Sequence, residues 1–161
     1  MPKVKLYTLS IFCMLTAFSL DYLSKLWAHA ALEPGMRHTF IPGLLNLVLV
    51  DNTGLAFSLV NKNELLARFL SSTVFIGLIC FYIARHWRPN SIFSWLEEIG
   101  LSIIIGAAAG NLLERFLCGR VTDFIEFAFI NFPVFNVADA LIDTGVGLLL
   151  ISMYFGKKPN A

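Results

Sequence analysis

Charged side chains are scarce in this 161-residue sequence. Asp, Glu, Lys and Arg together make up only 14% of the residues, whereas they make up about 25% of a typical soluble domain. Hydrophobic residues account for 57%, and the mean hydropathy is +0.73. This composition is typical of a membrane protein. The formal net charge of +1 gives no reason to expect a nucleic acid partner, and the length predicts a single domain over residues 1–161.

Residues that commonly build disulfides and metal sites are few and scattered. Cys13, Cys80 and Cys118 are an odd number of cysteines far apart in the chain, which indicates neither a disulfide framework nor a CxxC metal pair. The three histidines show no HxxxH or HExxH spacing, so the sequence does not support zinc hydrolysis. We therefore expect no metal and no cofactor.

Long apolar runs predict four membrane-spanning helices, because roughly 20 residues are needed to cross a bilayer. The first run, from Leu6 to Leu20, has no charge and also resembles the core of a cleavable signal peptide, with an A-x-A site at Ala28-His29-Ala30. Asp21 and Lys25 interrupt the path to that site, so a membrane helix is favoured. The predicted spans are Leu6 to Trp27, Leu65 to Ala84, Leu96 to Phe116 and Val137 to Phe155.

The long connection between the first two spans contains a predicted β-hairpin. Apolar runs at Leu44 to Val50 and Leu55 to Val60 flank the turn-forming sequence Asp51-Asn52-Thr53-Gly54. Turn chemistry alone explains Asn52 and Gly54, although it does not exclude a binding role for this turn.

Two of the predicted spans carry unusual polar groups. Asp21 and Lys25 lie four residues apart on one face of the first helix, where a local ion pair with a snorkelling lysine is one explanation. In the third span, the GxxxG spacing of Gly106 and Gly110 predicts close approach of another helix. Packing does not explain the polar residues that follow, which are Asn111, Glu114 and Arg115.

Asp123 and Asp139 are separated by 15 residues, most of them apolar. If two carboxyls are brought close together, one of them holds a proton near neutral pH, and the pair can act as general acid and base. We therefore consider an aspartic peptidase dyad. The alternative places Asp123 in a surface turn, with Asn136 as the N-cap of the last helix and Asp139 in its first turn.

Four spans place both termini on one side of the membrane. Basic residues are divided evenly, six to each side, but those on the side of the termini crowd into three short segments, so the positive-inside rule places both termini in the cytoplasm. Eight polar residues from different segments then converge at the outer face, which favours a functional site there. They are Asp21, Asn52, Asn111, Glu114, Arg115, Asp123, Asn136 and Asp139.

Four short motifs together resemble the bacterial lipoprotein signal peptidase family, also called signal peptidase II. They are N-T-G-L-A-F at 52–57, G-N-L-L-E-R at 110–115, V-T-D-F at 121–124 and F-P-V-F-N-V-A-D at 132–139. The resemblance covers nearly the whole chain. It implies an all-α membrane protein of the inner membrane, with four transmembrane helices and a small extracytoplasmic antiparallel β-sheet. It also implies an aspartic endopeptidase that removes signal peptides from prolipoproteins, cutting before a diacylglyceryl-modified cysteine.

The resemblance also assigns roles to individual residues. Asp123 and Asp139 become the catalytic pair. Asn52, Gly54, Asn111, Arg115 and Asn136 become substrate-binding or aspartate-orienting residues, and Asp21, Lys25 and Glu114 support the site. The family usually has Asp at the position of Glu114, so Glu114→Asp would be expected to keep or improve activity.

The expected partners are lipid-modified prolipoproteins and membrane lipid, and we expect a monomer. Two other classes of function are alternatives to a peptidase. A transporter or proton channel would also carry intramembrane acids, but here they cluster at one face. A membrane scaffold would not need Asp123 and Asp139 together.

Overall fold

The computed structural model describes residues 3–54, 63–87 and 94–155, with side chains from residue 6 onward. Its four helices are long and apolar enough to span a membrane, which confirms the predicted spans to within a few residues at most ends. The first is longer than predicted and extends beyond an apolar core about 30 Å thick. The helices are α1 Lys3–Ala31, α2 Glu64–Trp87, α3 Trp95–Cys118 and α4 Val137–Phe155.

Helix α3 lies at the centre of the bundle, and glycines let its neighbours approach. A Cβ added at Gly106 would lie 2.2 Å from the Met14 carbonyl oxygen of α1, so only glycine fits there. Gly100 of α3 and Gly145 of α4 face each other in the same way, since a Cβ on Gly145 would lie 2.7 Å from the Gly100 oxygen. The GxxxG prediction is therefore confirmed, with α1 as the partner helix.

Three antiparallel strands form a sheet in the order β1-β2-β3: β1 Arg37–Ile41, β2 Leu45–Asn52 and β3 Val121–Phe127. The first predicted hairpin arm is β2, but it continues to Asn52 and pairs with β1 and β3, neither of which was predicted. The second predicted arm, Leu55 to Val60, lies outside the described residues.

The sheet packs against the C-terminal end of α1. Ala28 of α1 and Leu32, the residue that follows this helix, form a buried cluster with Leu49 of β2 and Phe124 of β3. Phe124 is only 3% exposed, so β3 is held firmly against α1. The residue before Phe124 is Asp123, and its position is fixed by this packing.

The segment before α4 is tied to β3 by backbone hydrogen bonds. The amides of Phe124 and Ile125 both donate to the Phe135 carbonyl at 3.0 and 2.8 Å, and the Phe135 amide donates to Ile125 at 2.9 Å. These bonds bring the start of α4 alongside the strand that carries Asp123. As a result, residues distant in sequence meet at one end of the bundle.

Candidate active site

Asp123 lies within β3 and is only 3% exposed. Asn52 Nδ2 donates to its Oδ2 at 2.8 Å, and Asn136 Nδ2 donates to its Oδ1 at 2.6 Å. The interpretation of Asp123 as a surface-turn residue is therefore wrong. Both carboxylate oxygens of Asp123 are engaged by amide donors from other elements.

Asp139 lies in the first turn of α4 and forms a reciprocal cap with Asn136. The Asp139 amide donates to Asn136 Oδ1 at 3.0 Å, while the Asn136 amide donates to Asp139 Oδ2 at 3.1 Å. This arrangement is a capping box, which confirms that Asn136 is the N-cap. The other oxygen, Asp139 Oδ1, accepts from Asn111 Nδ2 at 3.0 Å. Asp139 therefore starts the helix and also faces the polar site.

Asn136 joins the two aspartates, because its side chain donates to the Asp123 carboxylate and accepts from the Asp139 amide. Burial, together with a smaller effect of the negative charge of Asp139, raises the pKa of Asp123 to about 7. Hydrogen bonds from Asn52 and Asn136, together with the charge of Lys25, oppose this rise. Near neutral pH, Asp123 is thus poised between its charged and neutral forms.

A buried ion cluster lies beneath the aspartates. Lys25 Nζ is within 2.8 Å of Asp21 Oδ2, 3.1 Å of Glu114 Oε2 and 2.7 Å of Asn111 Oδ1. The predicted Asp21–Lys25 pair is confirmed, but Lys25 does not snorkel, since it is only 5% exposed. Asp21 Oδ1 also accepts from the Ala138 amide at 3.1 Å. Buried charges are tolerated when they are paired in this way.

Glu114 extends the cluster to β3. Its Oε2 accepts from the Thr122 amide at 3.0 Å, and its Oε1 accepts from the Thr122 hydroxyl. His29 Nε2 lies 2.9 Å from the same hydroxyl. Sequence reasoning missed Thr122 and His29. The position of Thr122 next to Asp123 was the one available signal, and nothing in the sequence pointed to His29.

Arg115 and Gly54 meet at the edge of the site. An Arg115 terminal nitrogen donates to the Gly54 carbonyl at 3.2 Å, and the Gly54 amide donates to Asn52 Oδ1 at 3.0 Å. The charge of Arg115 also interacts with Asp123 and Asp139. The site residues predicted from sequence are thus brought together in one hydrogen-bonded assembly.

A cleft of about 740 Å³ opens onto both aspartates. Its polar lining includes the three asparagines and Arg115, while much of the remaining wall is apolar. The apolar lining comes from α2, α3, β3, α4 and the segment before α4, and includes Leu70, Val74, Phe75, Leu112, Phe132 and Ile142. An extended chain with apolar side chains fits such a wall, with its backbone against the polar end. Within residues 3–54, 63–87 and 94–155, no three His, Cys, Asp or Glu side chains are grouped to hold a metal.

The fold and site define a multi-pass membrane protein with one buried and one half-buried carboxyl, Asp123 and Asp139, at one end of its helices. A profile of the family described as Signal peptidase (SPase) II matches residues 13–155. The chain belongs to the signal peptidase II family.

Curated relatives and solved structures agree with this assignment. The lipoprotein signal peptidase of Cyanothece sp. is 40% identical over 152 residues, covering 92% of this chain and 84% of the relative. That of Streptococcus pyogenes serotype M1 is 35% identical over 152 residues, covering 94% and 95%. Two structures described as bacterial membrane enzymes, solved by the in meso method, are each 25% identical to this chain. Their TM-scores are 0.77 and 0.76, with coverage of 94% and 92% of this chain and 93% and 94% of theirs.

Proposed function

We propose that this chain is an aspartic endopeptidase that removes signal peptides from prolipoproteins, cutting before a diacylglyceryl-modified cysteine. The observation that carries the proposal is the pairing of Asp123 and Asp139 through Asn136, with the pKa of Asp123 at about 7. The family assignment and the printed name of its relatives, lipoprotein signal peptidase, supply the substrate class.

The dyad performs hydrolysis with one proton shared between two carboxyls. The ionised carboxyl takes a proton from a water molecule as the water oxygen attacks the scissile carbonyl carbon. The protonated carboxyl gives its proton to the carbonyl oxygen, which forms a neutral diol. The dyad then moves a proton from a diol hydroxyl to the amide nitrogen as the carbon–nitrogen bond breaks. One water is consumed, and the pair again holds one proton.

The surrounding residues hold the reacting groups in place. Asn52, Asn111 and Asn136 each donate to a catalytic carboxylate, and so limit the orientations that the two aspartates can adopt. We assign Arg115 and Gly54 to the substrate backbone, because Arg115 lines the cleft and holds the Gly54 carbonyl. Asp21, Lys25 and Glu114 brace this layer from below.

We place the protein in the bacterial inner membrane, with both termini in the cytoplasm and the dyad at the extracytoplasmic face. The crowding of basic residues near the termini supports this orientation. The apolar wall of the cleft supports a lipid-modified substrate held at the membrane surface. We also propose that the chain functions as a monomer.

Cleavage of a lipidated precursor by the purified protein in detergent micelles tests the proposal. Asp123→Asn and Asp139→Asn are each expected to abolish turnover, because a single carboxyl cannot both activate water and protonate the carbonyl. Asp143→Asn is the matched control, since Asp143 lines the same cleft one helical turn further along α4, and it is expected to retain most activity. Full activity in either dyad variant would refute the aspartic mechanism.

A further inference from the structure

His29, near the C-terminal end of α1, is hydrogen-bonded to the strand that carries Asp123. Its Nε2 lies 2.9 Å from the hydroxyl of Thr122, which is only 1% exposed. The Thr122 hydroxyl also contacts Glu114 Oε1. These contacts connect α1, α3 and β3 immediately beside a proposed catalytic residue. None of the roles assigned above uses His29 or Thr122.

The donor and the acceptor in each of these hydrogen bonds follow from the number of protons that each group carries. Glu114 Oε2 accepts from the Thr122 amide and from the Lys25 ammonium. Both of these groups can only donate. Glu114 is therefore the acceptor throughout, and the single hydroxyl proton of Thr122 points to its Oε1. The Thr122 oxygen then accepts from His29, which must carry its proton on Nε2. In this arrangement each hydrogen bond from His29 to Glu114 has one donor and one acceptor.

The network reaches both aspartates. Thr122 directly precedes Asp123, and successive side chains of a strand point to opposite faces, so Glu114 holds the strand from the face opposite Asp123. In the other direction, Glu114 pairs with Lys25, which donates to Asn111, which in turn donates to Asp139. The longer side chain of Glu114 lets one carboxylate hold both Thr122 and Lys25.

We propose that His29 and Thr122 are positioning residues that orient the catalytic pair through Glu114. The inference rests on the proposed peptidase function. If it holds, losing the His29 donor loosens the Thr122 hydroxyl, and Glu114 no longer holds β3 and Lys25 in one fixed geometry. Substrate affinity is expected to stay nearly constant, since neither residue is among those lining the cleft.

Single variants of each residue separate hydrogen bonding from packing. His29→Phe keeps a ring without a donor, and Thr122→Val keeps the shape without a hydroxyl. Each is expected to lower kcat about fivefold, the effect of one ordinary hydrogen bond, with KM changed less than about twofold. His29→Gln and Thr122→Ser restore a donor and a hydroxyl and are expected to recover most of kcat. His38→Phe, at an exposed histidine of β1, is the matched control and is expected to have no effect.

The double variant tests whether His29 acts through Thr122. If it does, His29→Phe adds little in the Thr122→Val background, whereas independent effects would multiply to about 25-fold. Unchanged kcat in both single variants, multiplicative effects, or failure of the Gln and Ser variants to recover activity would each overturn the proposal. The thermal midpoint of each variant shows whether a loss of kcat comes from unfolding. If His29→Phe or Thr122→Val unfolds, recovery of kcat in His29→Gln and Thr122→Ser decides whether the donor and the hydroxyl are needed. Cleavage by the wild type and its loss in Asp123→Asn test the peptidase function separately.

Discussion

Replacing Asn52 with alanine is expected to move the alkaline limb of the cleavage rate to higher pH. Above the upper pKa of the pair both carboxyls are charged, so no proton remains for the scissile carbonyl and the rate falls. Asn52 Nδ2 donates to Asp123 Oδ2 at 2.8 Å, which favours the charged form and lowers the pKa of Asp123. Removing this donor therefore raises that pKa, and the active one-proton state persists to higher pH.

The size of the shift follows from the strength of the lost bond. A hydrogen bond to a charged group contributes roughly 1.5–3 kcal/mol, and one pKa unit corresponds to about 1.4 kcal/mol. Asn52 is half-buried, so water will replace part of the lost bond. We expect the limb, which lies near the pKa of about 7 for Asp123, to move up by about one pH unit.

The assay is kcat/KM for a lipidated precursor between pH 5 and 9, which reports on the free enzyme. Asn46→Ala is the matched control, because Asn46 lies on the same strand and donates to a different carboxylate, Glu126 Oε2, at 3.1 Å. Its profile should coincide with that of the wild type. An unchanged limb in Asn52→Ala, or a shift to lower pH, would refute the assignment of Asp123 to this limb.

Glu114→Asp is expected to lower kcat about fivefold or more, because a shorter carboxylate cannot hold both Thr122 and Lys25; equal or higher activity would favour the expectation drawn from family resemblance. In a background without native cysteines, a cysteine replacing Thr39 of β1 should react with an impermeant thiol reagent from outside and one replacing Trp95 of α3 should not; the reverse would place the dyad on the cytoplasmic side. A precursor with unmodified cysteine should be cut far more slowly than the lipidated one, because burial contributes about 0.8 kcal/mol per CH₂; equal rates would remove lipid anchoring from the mechanism.

The helical part of the fold was predictable from sequence because apolar run length is a direct measure of membrane span. The close contact at Gly106 was also predictable, since GxxxG spacing reports on helix approach without needing to name the partner. Strand β3 was not predictable in this way. In its sequence, V-T-D-F-I-E-F, the polar residue Thr122 is buried. Its polar atoms are satisfied by Glu114 and not by water, and the sequence pattern does not show this.

Motif resemblance identified the two aspartates from the sequence, but it did not predict the contacts that hold them. Pattern alone presented the N-cap role of Asn136 and the dyad role of Asp139 as competing explanations. The structure shows that the capping contacts and the placement of Asp139 beside the polar site occur together, because the capping box leaves Asp139 Oδ1 available for Asn111. The snorkelling explanation for Lys25 was wrong for a related reason. Snorkelling is the expected behaviour of an isolated lysine, and sequence cannot show that Glu114 and Asn111 surround it.

Two of the three asparagines at the site are oriented by backbone amides. Asn52 Oδ1 accepts from the Gly54 amide, and Asn136 Oδ1 accepts from the Asp139 amide. A backbone N–H can only donate, so each contact fixes which end of the side-chain amide faces it. The NH₂ group of each asparagine is then directed at Asp123. The turn after β2 and the start of α4 thus determine the hydrogen bonds that the Asp123 carboxylate receives.

Asn111 is oriented by a buried charge instead of a backbone group. Its Oδ1 accepts from the Lys25 ammonium at 2.7 Å, so its NH₂ group is directed at Asp139. An aspartate at any of the three asparagine positions would present an oxygen where the dyad needs a donor. A glutamine would displace the amide by about one bond length. Asparagine meets the requirement because it pairs an acceptor for a fixed N–H with a donor for a carboxylate. The buried cluster around Lys25 therefore contributes to the geometry of Asp139 through the hydrogen bond that Lys25 donates to Asn111.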